Sequence, residues 1–148
     1  MRILTIFSLL IVLMSSCSTE PAANMPLAGT WQLVEIKDKS TGATLTYQPG
    51  NAGRISLSLK ADGSFTGKTL KNTISGGSYT LPAAHQVNFG FFNMTEVAED
   101  NLGSAFLTVL MSCNLQSLYP CKPSDYTISG KTILITTALR YDMKMVKL

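Results

Sequence analysis

The sequence predicts a mainly β domain with one helix, either a curved antiparallel sheet or a cracked β-barrel with the helix packed across it. Three observations carry this. Residues 55–60 (Ile-Ser-Leu-Ser-Leu-Lys) alternate apolar and polar strictly, the period of a strand with one buried face. Asp62-Gly63 follows at once, and its tolerance of positive φ makes it a hairpin signal. Beyond Val97 the apolar positions recur instead at offsets of three and four (Leu102, Phe106, Val109, Leu110, Cys113), which is one face of a helix. A sheet that does not fully close needs its gap covered, and this is the only helix the pattern offers.

The elements follow in order. Arg2 and the apolar run over residues 3–13 precede Met14-Ser15-Ser16-Cys17, too short to span a bilayer and flanked like a secretory signal. Residues 18–26 hold two prolines and no periodicity, and read as a tether. The folded part starts at Leu27. Its first strand, through residue 36, is expected to put Trp31 and Leu33 on one side and Val34 and Ile36 on the other. Trp31 reads as a core plug before a ligand contact.

Residues 37–42 are turn-forming, 43–47 make a short strand, and 48–53 are loop. The strand at 55–60 returns through 65–70. Gly76-Gly77 is expected to turn the chain into a strand at 78–81, and 86–89 form the next. For the helix, Thr95 is the expected N-cap, with Glu99 and Asp100 in a first turn whose dipole favours acids. Residues 126–128, 132–136 and 140–145 close the chain as strands.

At 148 residues a single domain is expected. Without Arg2, 11 basic residues face 9 acidic ones, a balance of +2 that points to no nucleic-acid partner. Charged residues make up 14%, low against roughly 25% for average globular chains, which leaves room for one sticky face. Cys113 and Cys121 remain once Cys17 is set aside, and in an oxidising compartment a disulfide is the default, worth on the order of 2–3 kcal/mol by loop closure. Two cysteines and one distant histidine do not make a zinc site.

Met14-Ser15-Ser16-Cys17 resembles the bacterial lipobox, where cleavage precedes a cysteine that receives diacylglycerol. That implies a lipoprotein signal peptide over residues 1–16, lipidation at Cys17 with its tether over 17–26, and a membrane partner through the anchor. Ser18 lacks the aspartate of inner-membrane retention, so outer-membrane attachment facing the periplasm is expected.

Residues 27–33 (Leu-Ala-Gly-Thr-Trp-Gln-Leu) are similar to the opening L-x-G-T-W-x-L of the META/HslJ domain family of bacterial envelope proteins. Residues 59–67 resemble that family's F-x-x-D-G-x-x-x-G hairpin. Asn72, Gly77-Ser78-Tyr79, Phe89-Gly90, Met94-Thr95 and Phe106-Leu107 fall in the family's order, so residues 27–148 read as a META/HslJ-like β domain. Where many members carry two cysteines, this chain has Lys71 and Glu99, which are expected to lie within salt-bridge distance. The resemblance implies envelope maintenance or stress, no established catalysis, and by analogy with secretin-pilot lipoproteins an apolar cavity.

No catalytic constellation emerges. His85 is the sole histidine, in an expected turn, and no nucleophile elbow or phosphate-cradling loop is present. No cofactor, metal or enzymatic activity is expected. Two readings stay open. In one, Trp31, Phe65, Tyr79, Val87, Phe89 and Phe106 line the interior, as core or as the wall of an apolar ligand site; periodicity does not separate the two. In the other, the chain is a protein–protein adaptor or a lysozyme-inhibitor-like module. It then acts through surface loops, residues 114–120 between the cysteines above all.

Overall fold

The computed structural model describes residues 25–47, 53–113 and 122–148. The expected signal peptide, Cys17, most of the expected tether, Cys121 and the loop over 114–120 lie outside the described residues, and with them the expected lipidation at Cys17 and the expected Cys113–Cys121 bridge.

Among the described residues, ten strands and one helix run in the order β1 (Gly29–Asp38), β2 (Thr44–Leu45), β3 (Ser56–Leu59), β4 (Ser64–Lys68), β5 (Thr73–Thr80), β6 (Gln86–Phe89), β7 (Asn93–Met94), α1 (Asn101–Leu110), β8 (Ser124–Ser129), β9 (Thr132–Thr136) and β10 (Tyr141–Lys147). A single 3₁₀ turn, Met111–Cys113, follows α1. All ladders are antiparallel. Around the ring the order is β1, β3, β4, β5, β6, β8, β9, β10, and β10 returns to β1 from Trp31↔Lys147 to Asp38↔Tyr141. The result is an eight-stranded closed barrel, with β2 and β7 as short additions on β1 and β5. The mainly β class with one packed helix is thus the observed one, and the sheet closes through its terminal strands. Its thinnest seam is β6, joined by two residue pairs on each side.

The helix crosses one mouth of the barrel. It packs on β10 and β1, and the 3₁₀ turn packs on β6, which stands diametrically opposite β1 in the ring. Glu99 and Ser112, at the two ends of this segment, also meet Thr69 after β4 and Ser124 of β8. Seven helix residues are buried, including Leu102, Phe106, Val109 and Leu110, more than a one-sided surface helix buries. A plug needs that.

Three local expectations are corrected. Between Leu33 and Glu35 the β1–β10 register slips by one residue, so Val34 is an extra residue on β1. The slip returns Ile36 to the inner face with Trp31 and Leu33, all at most 1% exposed. Gly76-Gly77 does not turn the chain; it lies inside β5. Phe65 faces Gly77 and Gly67 faces Ile74, so β5 carries one residue more than β4, and Gly76 takes φ +61° at that bulge. At Gly77 a Cβ would collide with the Phe65 ring, 2.5 Å from its Cζ. Finally, Thr95 is not the N-cap. Asp100 is, its carboxylate accepting from Gly103 N at 2.7 Å, and no acidic residue stands in the first turn.

Candidate functional site

The six residues expected to line the interior do meet there. Trp31, Phe65, Tyr79, Val87, Phe89 and Phe106 fall in one buried cluster, none more than 2% exposed. Phe65 and Phe89 pack edge to face, centroids 5.6 Å apart, the geometry the ring quadrupoles favour. The polar tips are satisfied locally. Trp31 Nε1 donates to Leu27 O at 2.7 Å and the Tyr79 hydroxyl to Lys60 O at 2.6 Å. Burial, aided by the charge of Asp62, raises the Tyr79 pKa. These side chains meet one another at the centre of the barrel.

A polar knot holds the helix against the barrel end. Asn72 is 2% exposed, and its amide uses its full hydrogen-bonding capacity. Nδ2 donates to Val97 O at 2.6 Å and Glu99 Oε1 at 2.5 Å; Oδ1 accepts from Val97 N at 2.8 Å and the Thr95 hydroxyl at 2.9 Å. Thr69 Oγ1 donates to the same Glu99 oxygen and accepts from Asn72 N at 2.7 Å. Glu99 Oε1 is thus engaged by Thr69 and Asn72. Ion pairs join Lys39 to Asp142, Arg140 to Asp38 and Lys144 to Glu35, whereas the expected Lys71–Glu99 pair is not formed. The other oxygen, Oε2, is buried without a partner and occupies the space a Cβ on Gly103 would need. The segment between β6 and α1 also leaves Phe91 77%, Val97 54% and Met94 39% exposed.

On the outside, where β1 ends and β10 begins, a cleft of about 310 Å³ lies against the first turn of α1. Asp38, Leu45, Asn101, Ser104, Arg140 and Tyr141 line it. Asp38 is buried, and its oxygens are fully engaged. Oδ2 accepts from Arg140 Nε at 2.9 Å and Nη2 at 2.5 Å; Oδ1 accepts from Ser40 N at 2.9 Å and its hydroxyl at 2.7 Å. The Arg140 guanidinium first, and the Ser40 hydroxyl second, hold the Asp38 carboxyl well below the usual carboxylate range. The guanidinium in turn lies over the Tyr141 ring, 5.0 Å from its centroid. Sequence reasoning missed this cleft. Its signal was an acid at an inward position of β1, but the partner stands 102 residues away.

His85 is exposed in the turn before β6, at φ +60°, with its ring 5.8 Å from that of Tyr126. Among the described residues no three acidic, histidine or cysteine groups stand together as a metal site, and no helix is long and apolar enough to cross a membrane.

Fold and site together define a small closed antiparallel β-barrel domain with a helix across one mouth. No family model and no curated protein matches the chain. Two solved structures share the fold. One is the NMR structure of a protein from Burkholderia xenovorans, with TM-score 0.58 and 18% identity over 81% of each chain. The other is the crystal structure of a DUF4847 family protein from Bacteroides vulgatus, with TM-score 0.53 and 16% identity over 80% of this chain and 92% of that one. At these identities the likeness concerns the fold alone.

Proposed function

We propose that this chain is a lipid-anchored, non-catalytic, META/HslJ-like binding domain of the bacterial envelope, and that it meets its partner with the outside of the barrel. The occupied interior carries the reading. Trp31, Phe65, Phe89 and Phe106 are each at most 2% exposed, and an apolar ligand could enter only by displacing them. The exposed Phe91, Met94 and Val97 supply apolar surface for an envelope-protein partner, the adaptor alternative of the sequence reading. Cys17 would tether this surface to the membrane, at the periplasmic face of the outer membrane.

Native mass spectrometry of the protein from envelope extracts tests the interior. The expected result is a mass carrying only the Cys17-linked lipid. A further non-covalent fatty-acid or lipid adduct, lost on Phe89→Trp substitution, would restore the apolar-ligand reading. Photo-crosslinking from position 91 or 97 is expected to capture an envelope protein, whereas Cys17→Ser is expected to move the chain from the membrane to the soluble fraction.

A further inference from the structure

We propose that the cleft between α1 and the β1–β10 corner binds the carboxylate of a small ligand, with Arg140 as the receiving residue. This goes beyond the reading of the interior and does not depend on it.

The argument starts from what Arg140 has left. A guanidinium carries five N–H donors in a rigid fork. Asp38 Oδ2 engages two of them, one on Nε and one on Nη2. The remaining three, on Nη1 and Nη2, have no partner among the described residues, and the side chain is 53% exposed. Asp38 and the Tyr141 ring fix the plane of the group, so its free end is preorganised. That end matches the two oxygens of a carboxylate.

The rest of the lining supports the same ligand. The Tyr141 hydroxyl and the side chains of Asn101 and Ser104 make no hydrogen bonds within the described residues, although all three line the cleft. Asn101 and Ser104 belong to the first turn of a ten-residue helix whose N-terminal end is already capped by the Asp100 carboxylate, so they offer side-chain donors rather than a free helix end. Leu45 supplies an apolar wall. Asp38, ionised and with every oxygen engaged, cannot accept from a ligand, and its charge opposes a dianion. A planar monoanion fits better than a phosphate. At roughly 30 Å³ per water the cleft takes about ten heavy atoms.

The test is NMR titration of the ¹⁵N-labelled full-length protein in detergent micelles with acetate, N-acetylalanine and N-acetylalaninamide. The two carboxylates are expected to move the Arg140 Nε–H and the amides of Asn101, Ser104 and Tyr141. The neutral amide is expected to bind at least about tenfold more weakly. N-acetylalanine well ahead of acetate would assign the site to a peptide terminus, and equal binding to free small carboxylates; either supports the proposal. Equal binding of the amide, or no movement of these signals by any probe at about 50 mM, would overturn it. Arg140→Gln strips Asp38 of its partner and threatens the fold, so Ser104→Ala and Tyr141→Phe decide. Each is expected to weaken acetate about threefold or more at unchanged melting temperature, and unchanged affinity in both would also overturn it.

Discussion

Asn72 is the side chain whose loss should reveal most about how the helix is held. Asn72→Ala removes four hydrogen bonds at once, two donated to Val97 O and Glu99 Oε1 and two accepted from Val97 N and the Thr95 hydroxyl. Each is worth about 1 kcal/mol net, but the consequences differ. Val97 and Thr95 are exposed, so their groups return to water and recover part of that. Glu99 is half-buried; its Oε1 keeps only Thr69, while its buried Oε2 already lacks a partner. The sum is a loss of about 2–4 kcal/mol, against a total stability of roughly 5–15 kcal/mol. At an m-value near 2 kcal/mol/M this moves the urea midpoint down by about 1–2 M. Trp31, the single tryptophan and a core residue, reports the transition by fluorescence. Asn72→Asp sharpens the test. It keeps the acceptor toward Val97 N but sets a carboxylate oxygen where an N–H₂ faced Glu99 and Val97 O, so it should be worse than alanine at neutral pH. Its deficit should shrink as acid restores a donor: repulsion raises the new carboxyl's folded pKa, so stability is complete below the unfolded pKa and lost as pH rises through the folded one. A midpoint within about 0.3 M of the wild type for Asn72→Ala would refute the assigned role.

Three further outcomes are expected. Gly103→Ala gains up to about 1 kcal/mol of helix propensity but drives a Cβ into the Glu99 carboxylate, so it should destabilise by about 1–3 kcal/mol. With Glu99→Ala also in place, the same change should become neutral or stabilising, and additive denaturation midpoints would count against the collision. Gly77→Ala should cost about 1–3 kcal/mol by displacing the Phe65 ring, and Phe65→Leu should soften that cost in a double-mutant cycle. Because Arg140 and Ser40 lower the folded pKa of Asp38, the stability it adds is complete above its unfolded pKa and falls as pH drops through the folded one. Melting curves of wild type and Asp38→Asn should therefore differ most near pH 6 and converge from about pH 5 downward; a gap constant to about pH 2 would contradict the pairing.

The strands were legible because alternation is a local signal. Residues 55–60 and the last strand show their buried face in the sequence, and β3 and β10 lie where the period puts them. What escaped was whatever depends on a partner strand. One inserted residue at Val34 moves Ile36 across the sheet, and the sequence of β1 is the same with or without the bulge. Gly76-Gly77 carries turn chemistry, yet the pair serves a bulge and a close aromatic contact that only β4 explains. The helix pattern was read, but its start was placed early because Thr95 is also a good cap. Its hydroxyl is engaged by Asn72 instead. Likewise the six interior residues could be named and the cleft could not. Apolar burial has a period, whereas an Asp38–Arg140 pair 102 residues apart has none.

Two of the crowded glycines, Gly77 and Gly103, bear on what the barrel is for. A barrel that holds a ligand keeps space open in its interior, and small residues along its wall are one means of doing so. Here the absent side chains make room for the protein's own groups. Gly77 lies under the Phe65 ring, and Gly103 lies beside the Glu99 carboxylate that ties the helix to Thr69 and Asn72. The first contact packs the centre of the barrel and the second seats the plug across its mouth. The room provided at these two glycines is thus occupied by packing and by closure, and Phe65 meets Phe89 edge to face rather than facing a void. Apart from the buried Glu99 Oε2, groups without a partner among the described residues stand elsewhere, including the free end of Arg140, the Tyr141 hydroxyl, and the exposed side chains of Phe91, Met94 and Val97. All of them face outward. A closed interior, with donors and apolar groups uncommitted on the surface, is what the proposed reading requires, in which a partner is met by the outside of the barrel.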